Sequence, residues 1–288
     1  MMPDDYRKIV DEMNATLGLA KPIHALLAER MLVKKARVDK LHPNPDDEFS
    51  DPAIGPNFEI VSAYSEDYRR RVQLETLWET EPLMVEKLNI GGYRILNGHH
   101  RWYAAMRANV SELPIKILNT VPVEKILSRL ETSENERAAA FDLDEVLLCT
   151  DAALSDKALS FPNSIKYKEL LRRNAGLLIT ELQSMGFDVW IYTGNFTPES
   201  HIRGLLKAHR AKGAKNVGVI NFIRHNKRNK RIVSAISNKY KLLVHGDNEG
   251  FTVTDPKTKE FESYSLDLSG KDWSSAMISG IRNAIQTA

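Results

Sequence analysis

The stretch that most constrains this chain is Ala138 to Asp151, AAAFDLDEVLLCTD. Small residues and Phe141 predict a buried strand, and two carboxylates, Asp142 and Asp144, stand one residue apart where it ends. Residues i and i+2 of a strand point the same way, so both acids face one side. At the carboxyl end of a parallel strand they overlie the crevice where open α/β sheets bind ligands. One acid can attack while the other handles a proton, or the pair can hold a hard cation such as Mg²⁺ through oxygen. A D-x-D pair is also common in solvated acidic turns, so the rest of the chain must decide.

The 288 residues suggest two domains, each with its own core. Apolar residues make up 42% and charged residues 27%, an ordinary globular balance, and a net charge of +2 does not by itself argue for nucleic acid. Cys149 is the single cysteine, which excludes an internal disulfide framework and a cysteine metal cluster. No apolar run of about 18 residues predicts a membrane span, and the start MMPDDYRKIVDEM lacks an apolar signal core, so a cytoplasmic protein is expected.

In chain order, helical spacing covers residues 4–17, and a second short helix is expected over Pro22 to Arg30. Met31 to Leu41 reads as a strand leading into a loop that carries Asp46, Asp47, Glu48 and Asp51. Residues 58–79 are helical. PLMVEKL is a strand, Gly91-Gly92 a hairpin turn, and YRIL the returning strand. Asn97-Gly98 then opens a helix at His99, His100 and Arg101, and PIKIL forms a closing strand. A glycine turn at a helix start directs N–H groups and the positive end of the dipole at an anion, and Arg101 adds a fork of donors suited to phosphate.

The order from Val38 to Leu118 (the PNP run at Pro43 to Pro45, PLMV, YRIL, the G-H-H-R turn, RWYAAMRA, PIKIL) resembles the ParB/sulfiredoxin domain. The resemblance covers roughly 80 residues and implies that Gly98, His99, His100 and Arg101 line a nucleotide-phosphate site. Sulfiredoxins carry a cysteine in that turn where this chain has His99 and His100, and partition-type ParB proteins follow the domain with a helix-turn-helix, which this chain replaces with something else. Some relatives with this turn are small-molecule kinases; by that analogy Glu48 or Asp47 is a base on a substrate hydroxyl.

A charged helix is expected from Val121 to Arg137, then the AAAFDLDEV strand, an irregular piece, and a long amphipathic helix from about Lys166 to Met185. FDVWIYTGN ends at Thr193-Gly194-Asn195. A helix follows over Pro198 to Ala211, then a strand over 217–222 and a basic run with Arg224, Lys227, Arg228, Lys230 and Arg231. KLLVHGDNEGF ends in Asp247. Carboxylates with a cation, a hydroxyl and a lysine are what phosphoryl transfer requires, to neutralise charge and fix geometry.

Residues 138 to about 268 resemble the haloacid dehalogenase (HAD) superfamily, with DLDEV, IYTG, Lys230 (or Lys227) and LLVHGDN in the family's order. The resemblance implies an α/β fold, a Rossmann-like parallel sheet with helices on both faces, over residues 131–288. The smaller α+β ParB/sulfiredoxin-like domain precedes it over residues 1–130. It also implies that Asp142 is a nucleophile forming an aspartyl-phosphate, Asp144 the acid/base, and Thr193 and Lys230 phosphoryl ligands. Gly194 and Asn195 extend that phosphate-binding strand end, and Asp142, Asp247 and the Asp144 carbonyl hold Mg²⁺. Glu145 stands where many members have glycine. Little room exists for a cap domain, and the basic run favours a nucleotide (ATP or CTP class) or a nucleic-acid end as substrate. A Mg²⁺-dependent phosphohydrolase is therefore expected. The rivals are a bifunctional kinase/phosphatase and a nucleotide-sensing or DNA-binding regulator with an inactive HAD domain.

Overall fold

The structure is a computed structural model, and it describes residues 4–16, 18–195, 197–221 and 227–287. The chain divides into two compact units: Met1–Thr120 with Ile223–Asn229, and Val121–Phe222 with Lys230–Ala288. The division thus falls at Thr120, where the sequence reading put it at 130.

In the first unit the elements are α1 (Asp4–Thr16), α2 (Leu27–Leu32), β1 (Lys35–Arg37), β2 (Leu41–His42), α3 (Phe58–Gln73), β3 (Leu83–Lys87), β4 (Tyr93–Asn97), α4 (His99–Arg107) and β5 (Glu112–Ile117). The strands form one five-stranded mixed sheet in the order β1-β5-β3-β4-β2. That order explains why Met31 to Leu41 is not one strand. β1 pairs with β5 at one edge and β2 pairs with β4 at the other, so the chain must cross the sheet between them. It does so through a 3₁₀ turn at Val38–Lys40. The expected helix over Pro22 to Arg30 is also displaced, starting only at Leu27. Val61, Tyr68, Val85, Ile95, Trp102 and Tyr103 are buried in this unit's core. Each such side chain contributes roughly 1.5–3 kcal/mol through burial.

The second unit contains α5 (Val123–Thr132), β6 (Arg137–Asp142), β7 (Leu148–Cys149), α6 (Asn163–Lys166), β8 (Leu170–Leu171), α7 (Ala175–Ser184) and β9 (Phe187–Thr193). After these come α8 (Glu199–Ala208), β10 (Gly218–Asn221), α9 (Lys227–Lys239, in this unit from Lys230 on), β11 (Leu242–Gly246), β12 (Gly250–Thr254), β13 (Phe261–Ser265) and α10 (Trp273–Thr287). Its six-stranded sheet runs β10-β9-β6-β11-β12-β13. The first four strands are parallel, while β12 and β13 return antiparallel. Helices alternate with the parallel strands, as parallel pairing requires of its crossovers. The unit is therefore α/β.

Two helices are shorter than their spacing suggests. α5 stops at Thr132 and leaves Arg137 to begin β6. The long helix expected over Lys166 to Met185 does not form. Leu170 and Leu171 pair instead with Cys149 and Leu148, and Asn174 takes a left-handed conformation (φ 61°) that α7 can only follow. The apolar residues there serve a hairpin and then a helix, and the spacing alone does not separate the two.

Candidate active site

The register of the second sheet brings its strand ends together. Asp142 pairs with Tyr192 and Thr193 with Asn221. Phe141 pairs with Gly246, so Asp247 follows at the level of Asp142. Asn221, Thr193, Asp142 and Asp247 therefore line one carboxyl edge across four adjacent parallel strands. Gly246 permits the close packing of β11 on β6: a Cβ there would lie 2.4 Å from Phe141 Cε1.

Beyond Asp142 the chain makes a π-type turn, Leu143–Leu147, and the aspartate caps it. Its Oδ1 accepts from the N–H groups of Asp144 at 2.7 Å and Glu145 at 2.9 Å. Among the described residues Oδ2 makes no hydrogen bond, so the carboxylate has one anchored and one open oxygen. Leu143, Val146 and Leu147 are buried and pin the turn, while Asp144 and Glu145 are exposed. Such one-turn π elements recur at functional sites.

Thr193 is fully buried. Its Oγ1 donates to Asp144 Oδ2 at 3.2 Å and accepts from the N–H of Asn195 at 3.2 Å. The hydroxyl thus joins the second acid to the Gly194–Asn195 turn. Gly194 and Asn195 are exposed, and a Cβ on Gly194 would meet nothing within 4 Å, so that turn faces open space.

Sequence reasoning missed two residues. The Tyr192 hydroxyl and His245 Nε2 are 2.8 Å apart and the rings stack with centroids 5.3 Å apart. They come from β9 and β11, on either side of β6, so only the sheet order reveals the pair. Desolvation, then the charges of Asp142, Glu145 and Asp247, holds the Tyr192 phenol well above its usual range. Desolvation lowers the His245 imidazole despite the opposing pull of Asp247 and Asp142. Both residues thus stand in the field of the two strand-end aspartates.

Lys230 sits in the first turn of α9 and is exposed. Among the described residues it makes no hydrogen bond or ion pair with the carboxylates. Arg224 and the side chains of Lys227 and Arg228 lie outside the described residues.

Among the described residues no three His, Cys, Asp or Glu side chains gather closely enough to hold an ion. The carboxylate of Asp144 is turned to Thr193, which leaves Asp142 and Asp247 as the two carboxylates at one level of the strand ends. Two carboxylates at one level suit Mg²⁺, which retains several waters and binds through one or two carboxylates plus a substrate phosphate. The residues fit that ion.

In the first unit Gly98 has φ 104° and begins α4 without a side-chain cap. Its Cβ position is occupied: Leu83 Cδ2 would be 2.4 Å away and Arg101 Nη2 3.1 Å away. His99 is buried, stacks on Phe49 at 5.4 Å, and accepts from the N–H of Asn44 at 3.1 Å through Nε2. Its Nδ1 lies 3.6 Å from Asp47, and burial pushes its pKa down to about 3. His100 Nε2 accepts from the N–H of Asn57 at 3.0 Å, and burial lowers its pKa too. The two imidazoles therefore hold the loop between β2 and α3, and bring Asp47 to the turn. Glu48, half-buried, begins the next 3₁₀ turn. Arg101 is buried, and its guanidinium is bound to the carbonyl and, at 3.1 Å, the carboxylate of Glu81.

Neither a family model nor a curated protein sequence matches the chain. Among solved structures it is similar to the C-terminally truncated chromosome-partitioning protein ParB from Caulobacter crescentus, complexed to the centromeric parS site. The identity is 22%, over 34% of this chain, with a TM-score of 0.24. The chain spans about half (46%) of that structure's length. Among the described residues no helix is long and apolar enough to cross a membrane.

Proposed function

We propose that the second unit is a Mg²⁺-dependent phosphohydrolase of the HAD type, acting through an aspartyl-phosphate. The observation that carries the reading is the half-anchored carboxylate of Asp142, level with Asp247 and two residues from an acid bonded to buried Thr193. An oxygen of Asp142 attacks phosphorus and the ester P–O bond breaks, while Asp144 gives its proton to the leaving alcohol. Water then attacks the same phosphorus, Asp144 takes its proton, and inorganic phosphate leaves with the Asp142 carboxylate restored. Asp142, Asp247 and the Asp144 carbonyl would hold Mg²⁺, which would supply charge neutralisation for the phosphoryl oxygens. Thr193 orients Asp144 and holds the Asn195 N–H, and the N–H of Gly194 is a donor for the phosphoryl group. Lys230 and Arg231, both exposed on α9, support a polyanionic substrate, a nucleotide or a nucleic-acid end.

The test is phosphate release from an aryl phosphate and a nucleotide panel, with Mg²⁺ and with chelator, for wild type and Asp142→Asn. Metal-dependent release that the variant lacks is the expected result. Release that persists in Asp142→Asn would remove the nucleophile.

A second reading concerns the first unit, taken as a ParB/sulfiredoxin-like domain. The uncapped start of α4 leaves the N–H groups of His99, His100 and Arg101 as donors for a nucleotide phosphate, with Asp47 or Glu48 as base. Binding there requires Arg101 to leave Glu81. Mg²⁺-dependent consumption of ATP that survives Asp142→Asn and is lost in Arg101→Ala supports it; loss in Asp142→Asn assigns that consumption to the second unit.

A further inference from the structure

At the amino end of the second unit's sheet, away from Asp142, lies a cavity of about 400 Å³. Its lining is polar apart from Phe187. Arg129, Thr132 and Ser133 come from the last turn of α5 and its end, Gln183 from the last turn of α7, and Asp188 from the start of β9; Asn135 and Asn216 close the sides. None of these residues takes part in the chemistry proposed above.

Two opposite charges share this cavity without pairing. Asp188 is buried; Asn135 Nδ2 donates to its Oδ1 at 2.9 Å and the Tyr240 hydroxyl to its Oδ2 at 2.6 Å. Trp190 Nε1 donates to that hydroxyl at 3.0 Å, so the carboxylate is held in place from behind. Arg129 lies half-buried with its guanidinium 5.4 Å over the Trp190 ring, and donates to the Asn216 carbonyl. Its Nε is buried with no hydrogen-bond partner. Among the described residues Arg129 and Asp188 form no ion pair. Desolvation holds the Arg129 guanidinium below its usual range, and the charge of Asp188, too far for an ion pair, offsets only part of that cost.

The surroundings separate the two signs further. The cavity meets the carboxyl ends of α5 and α7, which carry partial negative charge. Lys239 already uses one such carbonyl, donating to Ser133 O at 2.6 Å. Asp188 and the helix ends therefore favour a positive group, and Arg129 favours a negative one. The amides of Asn135 and Gln183 and the Thr132 hydroxyl already donate to Asp188, Gly213 and Ser128, so the two charged groups carry the recognition.

We infer that this cavity binds a small zwitterion of amino-acid type, its carboxylate on Arg129 and its ammonium toward Asp188. The inference does not depend on the phosphohydrolase reading.

The experiment follows thermal unfolding of the full chain with each of the common free amino acids in turn, with acetate, and with methylamine. At roughly 100 times its dissociation constant a bound amino acid raises the melting temperature by roughly 5–10 °C. The expected result is a shift with one or more amino acids and none with acetate or methylamine, abolished in Arg129→Gln. Thr132→Trp, which fills the mouth from an exposed helix end and removes no buried group, should abolish it as well. No shift with any amino acid, an equal shift with acetate, or a shift retained in Thr132→Trp would overturn the assignment.

Discussion

The Tyr192 hydroxyl lies 2.8 Å from His245 Nε2, and the two rings stack across the central strand β6. Ala140 pairs with His245, and Asp142 pairs with Tyr192. The stack therefore crosses β6 beside a residue with almost no side chain. This gives a reason for the small residues that precede Asp142. Ala140→Leu should push the rings apart and cost about 1–3 kcal/mol, as overpacking commonly does. Chemical denaturation of wild type and variant measures it, and an unchanged midpoint would mean the rings have room to spare.

Thr193 ties the second acid to the turn that follows β9. Thr193→Val keeps the shape and removes both hydrogen bonds, to Asp144 and from Asn195. Under the phosphohydrolase reading, turnover should fall by about 100-fold, in the range general acid–base chemistry contributes. Thr193→Ser should restore most of it, since the hydroxyl returns. Equal rates for the valine and serine variants would show that the hydroxyl positions nothing.

His99 makes the first unit sensitive to acid. Burial depresses its pKa from 6.5 to about 3 in the folded chain. Between those values the unfolded chain binds a proton that the folded chain excludes. The stability from neutral His99 is complete above pH 6.5 and is lost as pH falls toward 3, by up to about 1.4 kcal/mol per pH unit. His99→Gln, which can still accept from Asn44 N–H, should flatten that slope. Urea titrations at pH 7.5 and at about pH 5 compare the two chains; parallel slopes would count against the assignment.

Gly98 answers two demands at once, a left-handed φ and a Cβ position already filled by Leu83. Gly98→Ala should destabilise the first unit by about 1–3 kcal/mol through strain. Gly91 has φ 89° and nothing within 4 Å of its Cβ position, so Gly91→Ala should cost less, and the pair of melting curves separates strain from collision.

The sequence disclosed whatever depends on local order. Asp142, Thr193 and Asp247 read as strand ends because each closes an apolar run, and Gly98 as a turn because it interrupts one. Relations between distant segments were not legible. Arg101 looks like a free donor until Glu81, on a preceding loop, takes its guanidinium. Leu170 and Leu171 carry helical spacing, yet pairing with β7 outweighs it. Tyr192 and His245 are ordinary residues of two apolar strands until β6 is inserted between those strands.

That insertion also dictates an order of assembly during synthesis. β6 leaves the ribosome first, and its two neighbours, β9 and β11, emerge about 50 and 105 residues later. Until Gly246 has been made, one edge of an alanine-rich strand has no ladder to join, the kind of edge that recruits strands from other chains. The crevice and the fold's central pairing are completed by the same late strand. Until then a nascent chain carries Asp142, Asp144 and Thr193 without Asp247, so the second carboxylate at the level of Asp142 is the last part of the site to arrive.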